Sequence, residues 1–292
     1  MTMQRYRATL AHYLSSSVVA LMGLLGAVVP ADANTDTHGA PQSIVFYYGD
    51  EPNMASLRQF DLAVIDPDTP IDATDLQDDQ HRWFAYVSVG EVANTRDYYA
   101  LIPDAWLIGH NEAWASEIID QTAAGWPEFF AEHIVAPLWN QGFRGFFLDT
   151  LDSYLIVARD ESAQRDSQEG LIQLIRTLRH RFPGIRLILN RGFELLPDVH
   201  QDIFALAFES LFRGWDEARN SYVDVPETDR QWLLEQTRQA REHHRLPIIA
   251  IDYCHPEHER CAQNTVQKIR EHGLIPYVGD GRLQSINFAS LP

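Results

Sequence analysis

The chain has 292 residues, 45% hydrophobic and 22% charged, a composition that excludes fibrous and wholly disordered classes. Asp plus Glu outnumber Lys plus Arg by 41 to 23, giving a net charge of −18, which repels a phosphate backbone and argues against nucleic acid as a partner. The same charge draws a cationic ligand toward an acidic cleft, or simply keeps the protein soluble.

In chain order, Arg5 and Arg7 precede an apolar stretch, Val18 to Val29, followed by Ala31-Asp32-Ala33. This order predicts a secretory signal peptide over residues 1–33, cleaved after Ala33. The stretch falls short of the about 20 apolar residues of a bilayer span, so an exported, periplasmic or secreted protein with no stable membrane insertion is expected. Eight short apolar or β-branched runs follow and read as strands: Ser43 to Tyr48, Leu62 to Ile65, Phe84 to Val89, Gly145 to Leu148, Arg186 to Leu189, Ala205 to Phe208, Ile248 to Ile251 and Leu274 to Val278. Helices are predicted between them. Trp126 to Asn140 is one, and Leu171, Ile172, Ile175, Leu178 and Phe182 recur at helical spacing before Pro183-Gly184 stops a second. Glu227 to His244 is a third, with Trp232, Leu233 and the Gln236 to Ala240 stem inward, and Pro256 to His272 a fourth, capped by Gly273.

This alternation predicts a single (β/α)8 TIM-type barrel over residues 34–292, a length close to the about 250 residues usual for that fold. A doubly wound open sheet is the runner-up, but no Gly-rich dinucleotide loop or P-loop follows any strand. The two cysteines, Cys254 and Cys261, favour a disulfide in an exported protein. Zinc held with the intervening His255 and His258 is the alternative, although the spacing matches no usual ligand pattern.

In a barrel the active site forms at the carboxyl ends of the strands. Here those ends carry Asp50, Asp66, Glu91, Asp149, Glu209, Asp252 and Asp280, with Asn190-Arg191 after the fifth strand. Asp50, Asp66 and Asp280 fit helix capping or turns as readily as chemistry. Asp149, Glu209 and Glu91 directly follow apolar strands and should stand over the mouth. Two carboxylates facing across a cleft are the equipment of a glycosidase. The tyrosines beside them (Tyr47, Tyr48, Tyr86, Tyr154, Tyr253 and Tyr277) suit sugar rings, with core packing as their ordinary alternative. Asp152 could orient the site or cap the next helix, and Arg191 could hold an acid ionised or make a structural salt bridge. No metal or cofactor is expected: a calcium or magnesium site would use the same acids, but no His-x-Glu or paired-His signal lies at a strand end.

Six motifs in order carry a family resemblance: Phe46-Tyr47-Tyr48-Gly49, Phe60 through Pro67, Ala85 through Glu91, Gly145 through Tyr154, Asn190 through Glu194, and Phe208-Glu209-Ser210-Leu211. The chain resembles the hydrolase domains of Pel exopolysaccharide proteins, glycoside hydrolase family 166, related to family 114. The resemblance implies an endo-acting α-1,4-N-acetylgalactosaminidase on a (β/α)8 barrel, cutting a cationic, partly deacetylated galactosamine polysaccharide of biofilm matrix. It also implies Asp149 and Glu209 as the catalytic pair, and by analogy with retaining α-galactosidases Asp149 as nucleophile and Glu209 as acid/base. Tyr47, Tyr86, Glu91, Asp152, Tyr154, Asn190, Arg191, Asp252, Tyr253 and Asp280 are the expected substrate contacts. A non-catalytic sugar-binding barrel is the alternative, since a fold does not establish function.

Overall fold

The computed structural model describes residues 41–77 and 82–292, so the expected signal peptide lies outside the described residues. Eight parallel strands form one sheet in sequence order: β1 (Ile44–Tyr47), β2 (Leu62–Ile65), β3 (Trp83–Ser88), β4 (Gly145–Asp149), β5 (Arg186–Asn190), β6 (Ala205–Glu209), β7 (Ile248–Tyr253) and β8 (Ile275–Gly279). The sheet curls until its edges meet, with the Tyr277 hydroxyl of β8 donating to the Phe46 carbonyl of β1 at 2.9 Å. The fold is the expected barrel, nearly closed.

Side-chain alternation along each strand decides what fills it. Phe46 meets Phe147 and Tyr277 at centroid distances of 5.1 and 5.4 Å, and Tyr86 meets Phe147 at 6.3 Å. These rings fill the interior. Counting by twos from Phe46 and Phe147, Tyr48 and Asp149 belong to the same inward face, one layer nearer the carboxyl end, where Asn190, Glu209 and Tyr253 join Asp149 through hydrogen bonds.

Outside the barrel run Glu161–Arg181, Glu227–His244 and Glu259–Glu271. The first is capped by the Asp160 carboxylate on the Ala163 amide (2.9 Å) and ends in Arg179, His180 and Arg181, which suit the negative end of the helix dipole. The Glu227–His244 helix buries Leu233, Thr237 and Ala240, a stripe at helical spacing. Trp232 lies about 100° round the helix from Leu233 and is 40% exposed, so its expected inward position is corrected. Glu259, not Pro256, opens the last helix: the His258 amide closes a turn on the His255 carbonyl at 2.8 Å first, and a disulfide ties Cys254 at the end of β7 to Cys261 in the first helical turn.

One insertion has no helical counterpart. Between β3 and the Trp126 helix, Glu91–Ala93, Leu107–Asn111 and Ser116–Ile119 form a small antiparallel sheet. A second ribbon, Arg213–Asp216 with Ser221–Asp224, follows β6. Both spring from the carboxyl ends of strands and build up the mouth.

Candidate active site

Three adjacent strands end on three polar residues that touch. The Asn190 side-chain nitrogen donates to Asp149 Oδ1 at 2.7 Å and to Glu209 Oε1 at 2.9 Å. Both oxygens therefore lie within hydrogen-bond reach of one atom. The outer oxygens have tyrosine donors: Tyr86 on Asp149 Oδ2 at 2.8 Å, and Tyr253 on Glu209 Oε2. Tyr48 completes the group, its ring 5.1 Å from that of Tyr86.

The backbone at these strand ends is unusual in the same way three times. Thr150, Arg191 and Ser210, each directly after a member of the trio, have φ of 61°, 63° and 65°. Left-handed backbone costs a non-glycine residue about 1–2 kcal/mol, and more for branched Thr. It ends each strand at once and leaves the preceding side chain at the mouth. Thr150 is held there because its hydroxyl accepts from the Gly90 amide (2.9 Å) and lies 2.8 Å from Ser88 Oγ. A side chain at Gly90 would strike the Thr150 carbonyl, a Cβ falling 2.2 Å from it.

Electrostatics follow from burial. Removal from water, and next the charge of Glu209, raise the Asp149 carboxyl from 3.8 to about 6, against the pull of the Asn190 and Tyr86 hydrogen bonds. Burial and then the neighbouring anions push the Tyr48, Tyr86 and Tyr253 hydroxyls well above 10, so all three stay protonated donors.

The other expected residues are placed differently. Tyr47 points to the opposite face of β1 from Tyr48, and a Cβ on Gly49 would meet its hydroxyl at 2.6 Å. Glu91 is buried and accepts from Asn111 (2.9 Å), Ser153 (2.5 Å) and Ser116, fastening the small antiparallel sheet to the loop after β4. Asp252 is fully buried and accepts the amides of Leu211, Phe212 and Arg213 at 2.6, 2.8 and 2.9 Å, clamping the turn after Glu209. Asp280 accepts from Ser285 N and Oγ, both 2.6 Å, within its own loop. Tyr154 donates to Glu194 (2.8 Å) and accepts from Gln168, while Asp152 and Arg191 lie close enough to act on the Glu194 charge. Tyr154, Asp152 and Arg191 form a neighbouring cluster, not part of the trio.

Two residues outside the expected substrate contacts stand at the trio's rim. Tyr48 was legible from strand alternation with Phe46. Arg96 grips Asp66 with both terminal nitrogens (3.1 and 3.0 Å) and Asp68 at 2.8 Å, and its charge reaches Tyr86. No local pattern around Arg96 marks this, because Asp66 lies 30 residues upstream.

Comparison with known proteins agrees with the fold. The chain is 33% identical to the glycoside hydrolase domain of PelA from Pseudomonas aeruginosa, over 86% of this chain and 99% of that domain, with a TM-score of 0.77. Ega3 of Aspergillus fumigatus, solved in complex with galactosamine, shares the fold at 14% identity and a TM-score of 0.60, over 87% of this chain and 97% of that one. An uncharacterised protein of Deinococcus radiodurans is 24% identical over 80% of this chain and 77% of its own length. The family model of glycoside-hydrolase family GH114 matches residues 27–290. With a nearly closed barrel, an acid pair at the ends of β4 and β6, and a match along nearly its whole length, the chain belongs to glycoside-hydrolase family GH114.

Proposed function

We propose that this glycoside hydrolase is exported and cleaves, within the chain, an α-1,4-linked polysaccharide of N-acetylgalactosamine and galactosamine, with Asp149 as nucleophile and Glu209 as acid/base. The observation that carries the reading is the single Asn190 nitrogen held by both acids. Their facing oxygens can be no farther apart than its two hydrogen bonds laid end to end, 2.7 and 2.9 Å. Such a close approach of the facing oxygens supports the short carboxyl separation of retaining enzymes, about 5–5.5 Å, over the about 6.5–9.5 Å that seats a water in inverting ones.

Asp149 Oδ1 and Glu209 Oε1 accept from the Asn190 amide, and Glu209 Oε2 accepts from the Tyr253 hydroxyl. In this reading Glu209 carries the transferable proton on Oε2 and Asp149 is the nucleophile. In the first step Oε2 gives that proton to the glycosidic oxygen as Asp149 attacks the anomeric carbon; the glycosidic bond breaks and a glycosyl ester forms. In the second, Glu209 takes a proton from water, the water oxygen displaces Asp149, and the α configuration is restored. The acidic composition favours a polymer carrying free ammonium groups.

Digestion of defined galactosaminan, glucosaminan and galactan, with mass analysis of the products, tests the substrate. Internal cleavage of galactosaminan alone is expected. Cleavage of glucosaminan alone, or binding without cleavage, overturns the assignment.

A further inference from the structure

The ribbon that follows β6 holds an aromatic pair that the catalytic steps leave unused. Trp215 and Tyr222 are directly opposed across its two strands, so both rings lie on one face, 4.8 Å apart. The ribbon is fastened to the mouth from three sides. At its base, Asp252 holds the amides of Leu211, Phe212 and Arg213. From the loop after β8, the Gly281 amide donates to the Tyr222 hydroxyl at 3.2 Å. From the loop after β7, His255 meets the Tyr222 ring edge-on at 5.9 Å, within the segment closed by the disulfide.

Trp215 itself is locked. Its indole N–H donates to Glu217 at 2.5 Å, and the Gly281 backbone lies against one face of the ring: a Cβ there would fall 2.2 Å from the indole. The indole is half-buried, so part of its surface remains open to solvent. The acids around it are neutralised, Glu217 by Arg282 (3.2 Å) and Asp216 by Arg219 (3.4 Å).

We infer that Trp215 is the floor of a sugar subsite beside Glu209, stacking a galacto-configured ring of the polymer through its apolar face and indifferent to whether that ring carries an acetamide or an ammonium. This rests on the substrate class proposed above. A galacto ring suits such a floor because its axial 4-hydroxyl leaves the C3, C4 and C5 hydrogens together on one side. Charge pairing removes the reason to prefer a cationic unit at this position, whereas the unpaired outer surface of the trio keeps one elsewhere.

The test uses oligosaccharides of increasing length, fully deacetylated and fully acetylated, with the full chain, Trp215→Ala and Trp215→Phe. For Trp215→Ala, KM should rise about three- to tenfold on long substrates, the worth of one aromatic stack, with kcat held. The shortest cleaved oligomer should be unaffected, the rise should match for both acetylation states, and Trp215→Phe should recover most of it. A fall in kcat at every length that Phe does not rescue would make Trp215 merely structural, and a rise confined to deacetylated substrates would make the subsite charge-selective; either overturns the inference. Should the unsubstituted protein neither bind nor cleave any galactosamine oligomer, the proposed substrate falls first, and the subsite with it.

Discussion

Two sets of carboxylates, one buried and one half-buried, share one end of the barrel, and they differ in how they are satisfied. Asp252 and Glu91 each accept three hydrogen bonds from the scaffold alone, Asp252 from consecutive backbone amides and Glu91 from three side chains. Asp149 and Glu209 share one amide nitrogen and have one tyrosine each, with the Thr150 backbone also acting on Asp149. An acid saturated by fixed donors gains nothing from a substrate. An acid with spare lone pairs, held beside a second charge, is poised to exchange a proton or attack. The position at a strand end is common to both sets, so it is the partners and not the position that separate scaffold from chemistry.

The largest effect that can break this distinction is on rate. Glu209→Gln keeps the shape and removes the transferable proton, so turnover should fall about a hundredfold to ten-thousandfold while polymer binding survives. Asp149→Asn should fall at least as far, because no ester can form. Near-normal cleavage by either variant, measured as reducing ends released, would end its catalytic role.

The same pair of regions should split on stability. Burial raises the Asp252 carboxyl to about 6 as well, but against three backbone amides; Asp252→Asn turns an amide group toward those donors, so the lost hydrogen bonds should outweigh the relieved charge and cost about 2–3 kcal/mol in denaturant unfolding. Asp149→Asn should do the reverse. Its carboxyl titrates at about 6 when folded, against an ordinary value of 3.8 for the unfolded chain, so the folded protein holds that proton more tightly. The stability this contributes is full below pH 3.8 and lost as pH rises through about 6. At pH 7 the buried charge is a burden, and Asn should relieve about 3 kcal/mol of it, an advantage that nearly vanishes by about pH 4. The nucleophile must be ionised, so kcat/KM should decline as pH falls below about 6. An acidic limb near pH 4 would contradict the burial argument.

The smallest expected effect concerns the backbone. Ser210→Gly relieves a left-handed residue and should raise stability by about 0.5–1 kcal/mol, read as a higher Tm. A lower Tm would mean that the turn after Glu209 is not strained.

Most of the barrel was legible because parallel strands buried on both faces read as short apolar runs, and all eight lie where those runs fall. The acid pair was legible for the same reason, as polar residues that end such runs. The roles of the remaining acids were not. Asp252 is satisfied by amides about forty residues earlier, and Glu91 by a small sheet whose own strands alternate weakly, as in Leu107–Asn111. Tyr47 and Tyr48 are separable only by fixing which residue of β1 faces inward, and Phe46 settles that once its ring is seen against Phe147. Trp232 falls outward because helical phase, set by the buried Leu233, Thr237 and Ala240, outweighs the hydrophobicity of a single ring.

The most direct test of the central claim is the anomer first released from a galactosaminan chain, followed by proton NMR before mutarotation. Two carboxylates bridged by one Asn190 nitrogen predict the α anomer as the initial product, by way of the Asp149 ester. Initial release of the β anomer would mean that water attacks directly, and the assignment of Asp149 as nucleophile would be wrong.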